Sequence, residues 1–229
     1  MKNRSLLVFF SIIFCLFFSG YIAAHGVSGM DARFINENQG FQFFVYTYLG
    51  AKHMVTGYDH LLFLFGVIFY LTNLRSVALY VSLFALGHSI TLLAGVLADI
   101  NVNVYLIDAI IGLSVVYKAF DNVGGFNKLI GFSPNDKSAV LIFGLFHGFG
   151  LATKLQDLNP SEEGLVANML SFNLGVEIGQ LLALSLLLLI LNIGQRISTS
   201  RTPGIMVNIA LMAGGFALTS YQLAYYFQS

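Results

Sequence analysis

The chain has 229 residues, of which 57% are hydrophobic and only 10% are charged, and its mean hydropathy is +0.78. This composition lies outside the soluble range and predicts a membrane protein with several spans. Eleven basic and eleven acidic residues leave no net charge, which argues against nucleic acid as a partner because no basic surface is available. The single cysteine, Cys15, excludes an intrachain disulfide and a cysteine-based metal site.

Residues 1–24 have the pattern of a secretory signal peptide. Lys2 and Arg4 are followed by an apolar run, and the small residue Ala24 offers a cleavage position. Because Ile22 is large for the −3 position, an uncleaved signal anchor is the alternative.

The next two segments are predicted to lie outside the lipid core. Residues 25–40 are polar and form an external tail. Residues 41–56 are aromatic and amphipathic, which predicts a short interfacial helix on the outer membrane surface.

The remaining chain, 57–229, is predicted to be a six-helix transmembrane domain, so the fold class is an all-α membrane bundle. Its apolar segments cover about 57–73, 77–98, 103–120, 138–156, 165–193 and 205–226. The loops that contain Arg75, Lys128 and Arg196 hold most of the basic residues, and the positive-inside rule makes these loops cytoplasmic. Both termini are then external, and an exported N-terminus predicts the same orientation.

Most of the predicted spans contain polar or ionisable side chains, which are costly in lipid and usually functional. Imidazole with carboxylate favours a divalent transition metal, whereas Mg²⁺ or Ca²⁺ prefers oxygen ligands alone. The candidate metal ligands are His53, Asp59, His60, His88, Asp108, His147 and Glu177. Supporting polar residues are Ser89, Asn173 and Gln180. Helical rise places these groups as a polar ladder from an external mouth at Asp59 and His60 to about the bilayer centre at Glu177.

Four motifs in this order, "HMVTGYDHLLFL", "LGHSITL", "FGLFHGFGLA" and "FNLGVEIGQ", resemble the HupE/UreJ family. The resemblance covers about residues 45–225 and implies a small membrane accessory protein of hydrogenases and ureases that acts as a nickel or, in some members, cobalt permease. Well-known nickel permeases of the family carry a second His and a Glu shortly after Phe-His-Gly. Here "FHGFGLATK" has only His147, which is closer to a second branch of the family.

The leading functional hypothesis is an inner-membrane permease of bacteria for a divalent transition metal. Nickel is the first candidate, and cobalt, zinc, copper and iron remain open. Two alternatives are a membrane metal sensor or accessory protein without transport, and an intramembrane zinc-dependent hydrolase with Glu177 as general base. The expected partners are the lipid bilayer, the metal ion, a second copy of the chain and the maturation machinery of a metalloenzyme. No catalytic residue is assigned in the leading hypothesis.

Overall fold

The structure is a computed structural model that describes residues 35, 40–71, 73–157, 162–197 and 202–229. These ranges contain helices and no strand, which confirms the all-helical prediction for this part of the chain. The predicted signal peptide, residues 1–24, and most of the predicted tail lie outside the described residues. The helices are α1 (Phe43–Thr56), α2 (Tyr58–Ile68), α3 (Leu74–Leu97), α4 (Val104–Asn122), α5 (Gly125–Ile130), α6 (Asp136–Gln156), α7 (Leu165–Ile197) and α8 (Thr202–Tyr226).

Within the described ranges, four helical segments are long and apolar enough to cross a membrane. They are Leu74–Leu97, Asp136–Gln156, Leu165–Leu189 and Gly204–Tyr226, in α3, α6, α7 and α8. The third predicted span corresponds to α4, which has 19 residues and is not among the four. The first predicted span, 57–73, contains only the 11-residue α2. At about 1.5 Å per residue, α2 is too short to cross a core of roughly 30 Å.

Helix α1, which the sequence predicted to be an interfacial helix, runs parallel to α7 and packs along it. At the start of both helices the backbone NH of Gln42 donates to Asn168 Oδ1 at 2.8 Å. Further along, a Cβ on Gly175 would overlap the carbonyl of Thr47, and a Cβ on Gly179 would lie 2.7 Å from the carbonyl oxygen of Ala51. Because α7 has glycines at these positions, the backbone of α1 can pack in close contact with the backbone of α7.

Together α1 and α2 form one element that is broken at Gly57. Gly57 has an extended backbone conformation (φ −77°, ψ 90°) between the two helices. The element begins where α7 begins, and it ends beside Gly204 at the start of α8, close to Phe69 and Tyr70. Since α7 ends at Ile197 and α8 begins five residues later at Thr202, α1 and α2 extend from one end of the bundle to the other.

Two further pairs of helices are packed closely through glycines. Helices α3 and α6 are parallel, and a Cβ on Gly87 or Gly144 would overlap a backbone carbonyl of the other helix. Helices α4 and α8 are antiparallel, and a Cβ on Gly112 would lie 2.6 Å from Thr219 Oγ1 and 2.8 Å from the Thr219 backbone nitrogen. Small residues permit this close packing where lipid supplies no hydrophobic driving force.

Helix α2 lies in the middle of these pairs. It contacts α4, α6, α7 and α8, and every residue from Asp59 to Phe69 is buried. A helix that is apolar on all sides is expected to be surrounded by other helices. Its first turn is the exception, since Asp59 and His60 are polar.

Substitution of Gly87 by alanine tests this packing. We expect Gly87→Ala to destabilise the protein by about 1–3 kcal/mol, because the new methyl group overlaps the backbone of α6. Gly66→Ala is the matched control, since the nearest atom to its Cβ would be at an ordinary 3.4 Å. Thermal unfolding in detergent measures both variants. Equal melting temperatures for the two would contradict the proposed packing.

Candidate metal site

The break between α1 and α2 brings together two segments of the "HMVTGYDH" motif. His53 lies in the last turn of α1, and Asp59 and His60 lie in the first turn of α2. The backbone NH of Gly57 donates to the carbonyl oxygen of His53 at 2.8 Å. A Cβ at position 57 would lie only 2.6 Å from His60 Nδ1. A side chain at position 57 would therefore displace the His60 ring.

Two more histidines reach the same place from the parallel pair α3 and α6. The ring centroid of His60 lies 4.6 Å from that of His147, 5.1 Å from that of His53 and 6.4 Å from that of His88. Ligand nitrogens of His53, His60 and His88 all lie within 4.8 Å of one another. The nitrogens of His147 are not part of that three-residue group. We call the four residues together the histidine cluster.

Hydrogen bonds fix the orientation of two of these rings. His60 Nδ1 donates to Asp59 Oδ1 at 2.7 Å, and His147 Nδ1 donates to the carbonyl oxygen of Phe143 at 2.6 Å. A carboxylate and a carbonyl oxygen only accept, so Nδ1 carries the proton in both residues. The Nε2 atoms of His60 and His147 therefore keep their lone pairs for a ligand, which is the usual arrangement around a metal-binding imidazole.

The cluster contains an unusual number of buried nitrogens without a hydrogen-bond partner. They are Nε2 of His53, His60 and His147, and both ring nitrogens of His88. A buried polar atom left without a partner costs about 1–3 kcal/mol. Five such atoms in one place indicate a site that is completed by a ligand. Neutral imidazoles are good ligands for nickel, zinc, copper and iron, and poor ones for calcium or magnesium.

Aromatic rings enclose the cluster on several sides. Phe84 lies 4.8 Å from His147 and 6.3 Å from His88, centroid to centroid. Phe172 contacts His53 and Phe63 contacts His147. His88 and His147 are at most 1% exposed, and His60 is 5% exposed. The observed conformation therefore holds these three histidines away from solvent.

Two predicted acidic ligands lie elsewhere in the bundle. Asp108 forms an ion pair with Lys154 and also accepts a hydrogen bond from Gln222. Glu177 accepts a 3.4 Å hydrogen bond from Ser82. Among the described residues, the structure thus groups the four histidines with Asp59 and does not continue the ladder to Glu177.

The supporting residues have different positions. Asn173 is 8% exposed and lies beside His88, yet neither polar atom of its side chain has a completed hydrogen bond. Gln180, two turns further along α7, is fully buried and its amide also lacks partners. Ser89 is half-buried next to His88 in the chain. Asn173 is therefore the supporting residue that the structure places at the cluster.

Sequence reasoning did not identify one buried charged group. Lys118 was counted only as a basic residue that borders a cytoplasmic loop, but it is 5% exposed and forms ion pairs with Asp121 and Asp136. The three-residue spacing of Lys118 and Asp121 on a helix is the signal that could have found it.

These features define a multi-pass membrane protein with an imidazole cluster enclosed by its helices. The family described as HupE / UreJ protein matches residues 30–229. Because the match covers most of the chain, the protein belongs to the HupE/UreJ family, as its motifs predicted. The family is one of metal-handling accessory or transport proteins. Comparison with curated proteins and with solved structures finds no match.

Removal of the carboxylate behind His60 tests the site. In Asp59→Asn the amide NH₂ can donate to His60 Nδ1. The imidazole proton then moves to Nε2, which no longer has a lone pair for the metal. We expect nickel affinity to fall by about 10- to 100-fold, as for other residues that orient a ligand. Calorimetric titration of the purified protein measures this change.

Glu177→Gln is the matched control, since it also replaces a carboxylate by an amide on a partly buried helix face. We expect its affinity to equal that of the wild type. An equal loss of affinity in both variants would place the metal outside the histidine cluster.

Proposed function

We propose that the protein is a permease for a divalent transition metal, with nickel as the first candidate cargo. The observation that carries the proposal is the histidine cluster, in which five unpartnered imidazole nitrogens lie at a break in a helix. Discontinuous helices form the substrate sites of many membrane transporters, since their ends supply polar groups inside the bilayer. Family membership favours the same function.

In this proposal α1 and α2 replace the first predicted span as one discontinuous crossing. Their 14 and 11 residues span about 38 Å at 1.5 Å per residue, which exceeds the roughly 30 Å hydrocarbon core. The bundle then has six crossings, and the basic loops make the end at Gln42 external. The metal reaches the cluster from the end that contains Asp108 and leaves toward the end that contains Lys118.

The low negative charge of the site suits a dication that must be released after it binds. In their neutral form the four imidazoles add no charge, and Asp59 supplies a single negative charge. The ligands must be deprotonated to bind, so protons compete with the metal. A site with few negative charges releases its cargo more readily than one formed by several carboxylates. The proposed location is the inner membrane of a bacterium, where the cargo supplies maturation of a metalloenzyme.

The hydrolase alternative receives less support. That mechanism needs a general base within hydrogen-bond reach of a metal-bound water. Glu177 was the candidate base, and its carboxylate accepts a hydrogen bond from Ser82 at 3.4 Å. Ser82 lies six residues, or about 9 Å, from His88 along α3. A sensor that binds without transport uses the same cluster, so flux has to be measured.

Nickel uptake into proteoliposomes tests the proposal. We expect His60→Ala to lower the initial rate at least roughly tenfold, because it removes a ligand from the centre of the cluster. Glu177→Gln is the control and should transport like the wild type. Tight nickel binding by the wild type with no flux in either direction would instead establish a sensor or accessory protein.

A further inference from the structure

Two ion pairs connect the same two helices at opposite ends of the bundle. At one end Asp108 of α4 pairs with Lys154 of α6, with Nζ 3.0 Å from Oδ2. At the other end Lys118 of α4 pairs with Asp136 of α6 at 2.6 Å and with Asp121 at 2.8 Å. The order of charges is reversed, because α4 supplies the acid at one end and the lysine at the other.

Burial distinguishes these pairs from ordinary surface ion pairs. The side chains of Asp108 and Lys118 are each 6% exposed, and that of Asp121 is 11% exposed. Lys154, at 23%, and Asp136, at 40%, connect the pairs to solvent at the two ends. Each pair is therefore buried on one side and open to solvent on the other.

The Asp108–Lys154 pair lies on the way to the histidine cluster from one end. Lys154 follows His147 by seven residues on α6, so the two side chains share a helix face and lie about 10 Å apart along the axis. Lys154 is also close enough to His53 to interact with it electrostatically. The Lys154 ammonium therefore lies between this end of the bundle and the histidine cluster.

The Lys118 pairs lie on the way from the cluster to the other end. Gly66 follows His60 by six residues, or about 9 Å along α2, and its Cβ would be 3.4 Å from Lys118 Cγ. Aromatic rings fill the space between. Phe63 lies 5.3 Å from Phe143, and Phe143 lies 5.3 Å from Tyr117, which precedes Lys118 in the chain.

We propose that these ion pairs are the two gates of the transport route, and this proposal rests on the permease function proposed above. The Lys154 gate is the Asp108–Lys154 pair, and the Lys118 gate is Lys118 with Asp121 and Asp136. A tethered ammonium at each end repels a dication and occupies the carboxylates that would bind it. Both gates are closed in this structure, which matches the enclosed cluster.

The shared helices explain how one gate opens while the other stays closed. If α4 separates from α6 at one end, only the pair at that end breaks, and the pair at the other end keeps the helices together. The metal is then accessible from one side at a time. A divalent cation at Asp108 would release Lys154 to solvent, so the arriving cargo itself favours the opening of that gate.

Cysteine labelling tests the gates without any metal. The probe is Asn173→Cys, beside His88, in a chain whose native Cys15 is replaced by serine. In membrane vesicles of both orientations, an impermeant maleimide should label the probe slowly from either side. Lys154→Gln should accelerate labelling at least roughly tenfold from the Asp108 end only, as expected when a minor open state becomes populated. Lys118→Gln should do so from the opposite end only.

Two controls determine what the result means. Lys128→Gln removes an exposed lysine of α5 and should leave labelling slow from both sides. The double variant Asp108→Lys with Lys154→Asp restores an ion pair and should return labelling to the slow rate. It also distinguishes the loss of the ion pair from misfolding of a single variant as the cause of faster labelling. Folded single variants with unchanged labelling, or with acceleration from the same side, would overturn the proposal. Since no metal is used, this failure is distinct from a loss of nickel uptake in the permease test.

Discussion

The break at Gly57 is the constraint on which the rest of the molecule depends. Helix α1 ends three residues after His53, and α2 begins one residue before Asp59, so the last turn of α1 and the first turn of α2 place these polar residues on either side of the break. A side chain at this position would collide with the His60 ring. Without the break His53 and His60 would lie seven residues, or about 10 Å, apart along one continuous helix, whereas their ring centroids are 5.1 Å apart. The parallel pair α3 and α6 then only has to supply His88 and His147 at the same depth.

Much of the fold was predictable because hydropathy and helix length are local properties. The segments of α3, α6, α7 and α8 were found within a few residues. The packing of α1 against α7 was not predicted, because an aromatic, amphipathic pattern does not indicate which helix it contacts. What places α1 against α7 is its packing on Gly175 and Gly179, more than 120 residues away along the chain. A hydropathy profile does not contain that contact.

The candidate site, like the fold, was predictable only in part. The residue types predicted an imidazole-rich metal site, and the structure brings together all four of the histidines proposed, with Asp59 as an orienting carboxylate. The predicted ladder placed Asp108 and Glu177 by their depth along a helix. Depth alone does not give the direction in which a side chain points. Asp108 turns toward Lys154, and Glu177 turns toward Ser82. Directions of side chains depend on helix packing, which a single sequence does not give.

The pairing of α1 with α7 also has a consequence for synthesis. The hydrogen bond between Gln42 and Asn168 joins residues 126 positions apart, so α1 leaves the ribosome roughly 6–25 s before its partner at 5–20 residues per second. During that interval α1 has no glycine-lined helix beside it, and at 14 residues it is too short to cross the bilayer alone. We therefore expect the helix that carries His53 to reach its final position late, after α7 has been inserted, and the histidine cluster to be among the last parts of the molecule to assemble.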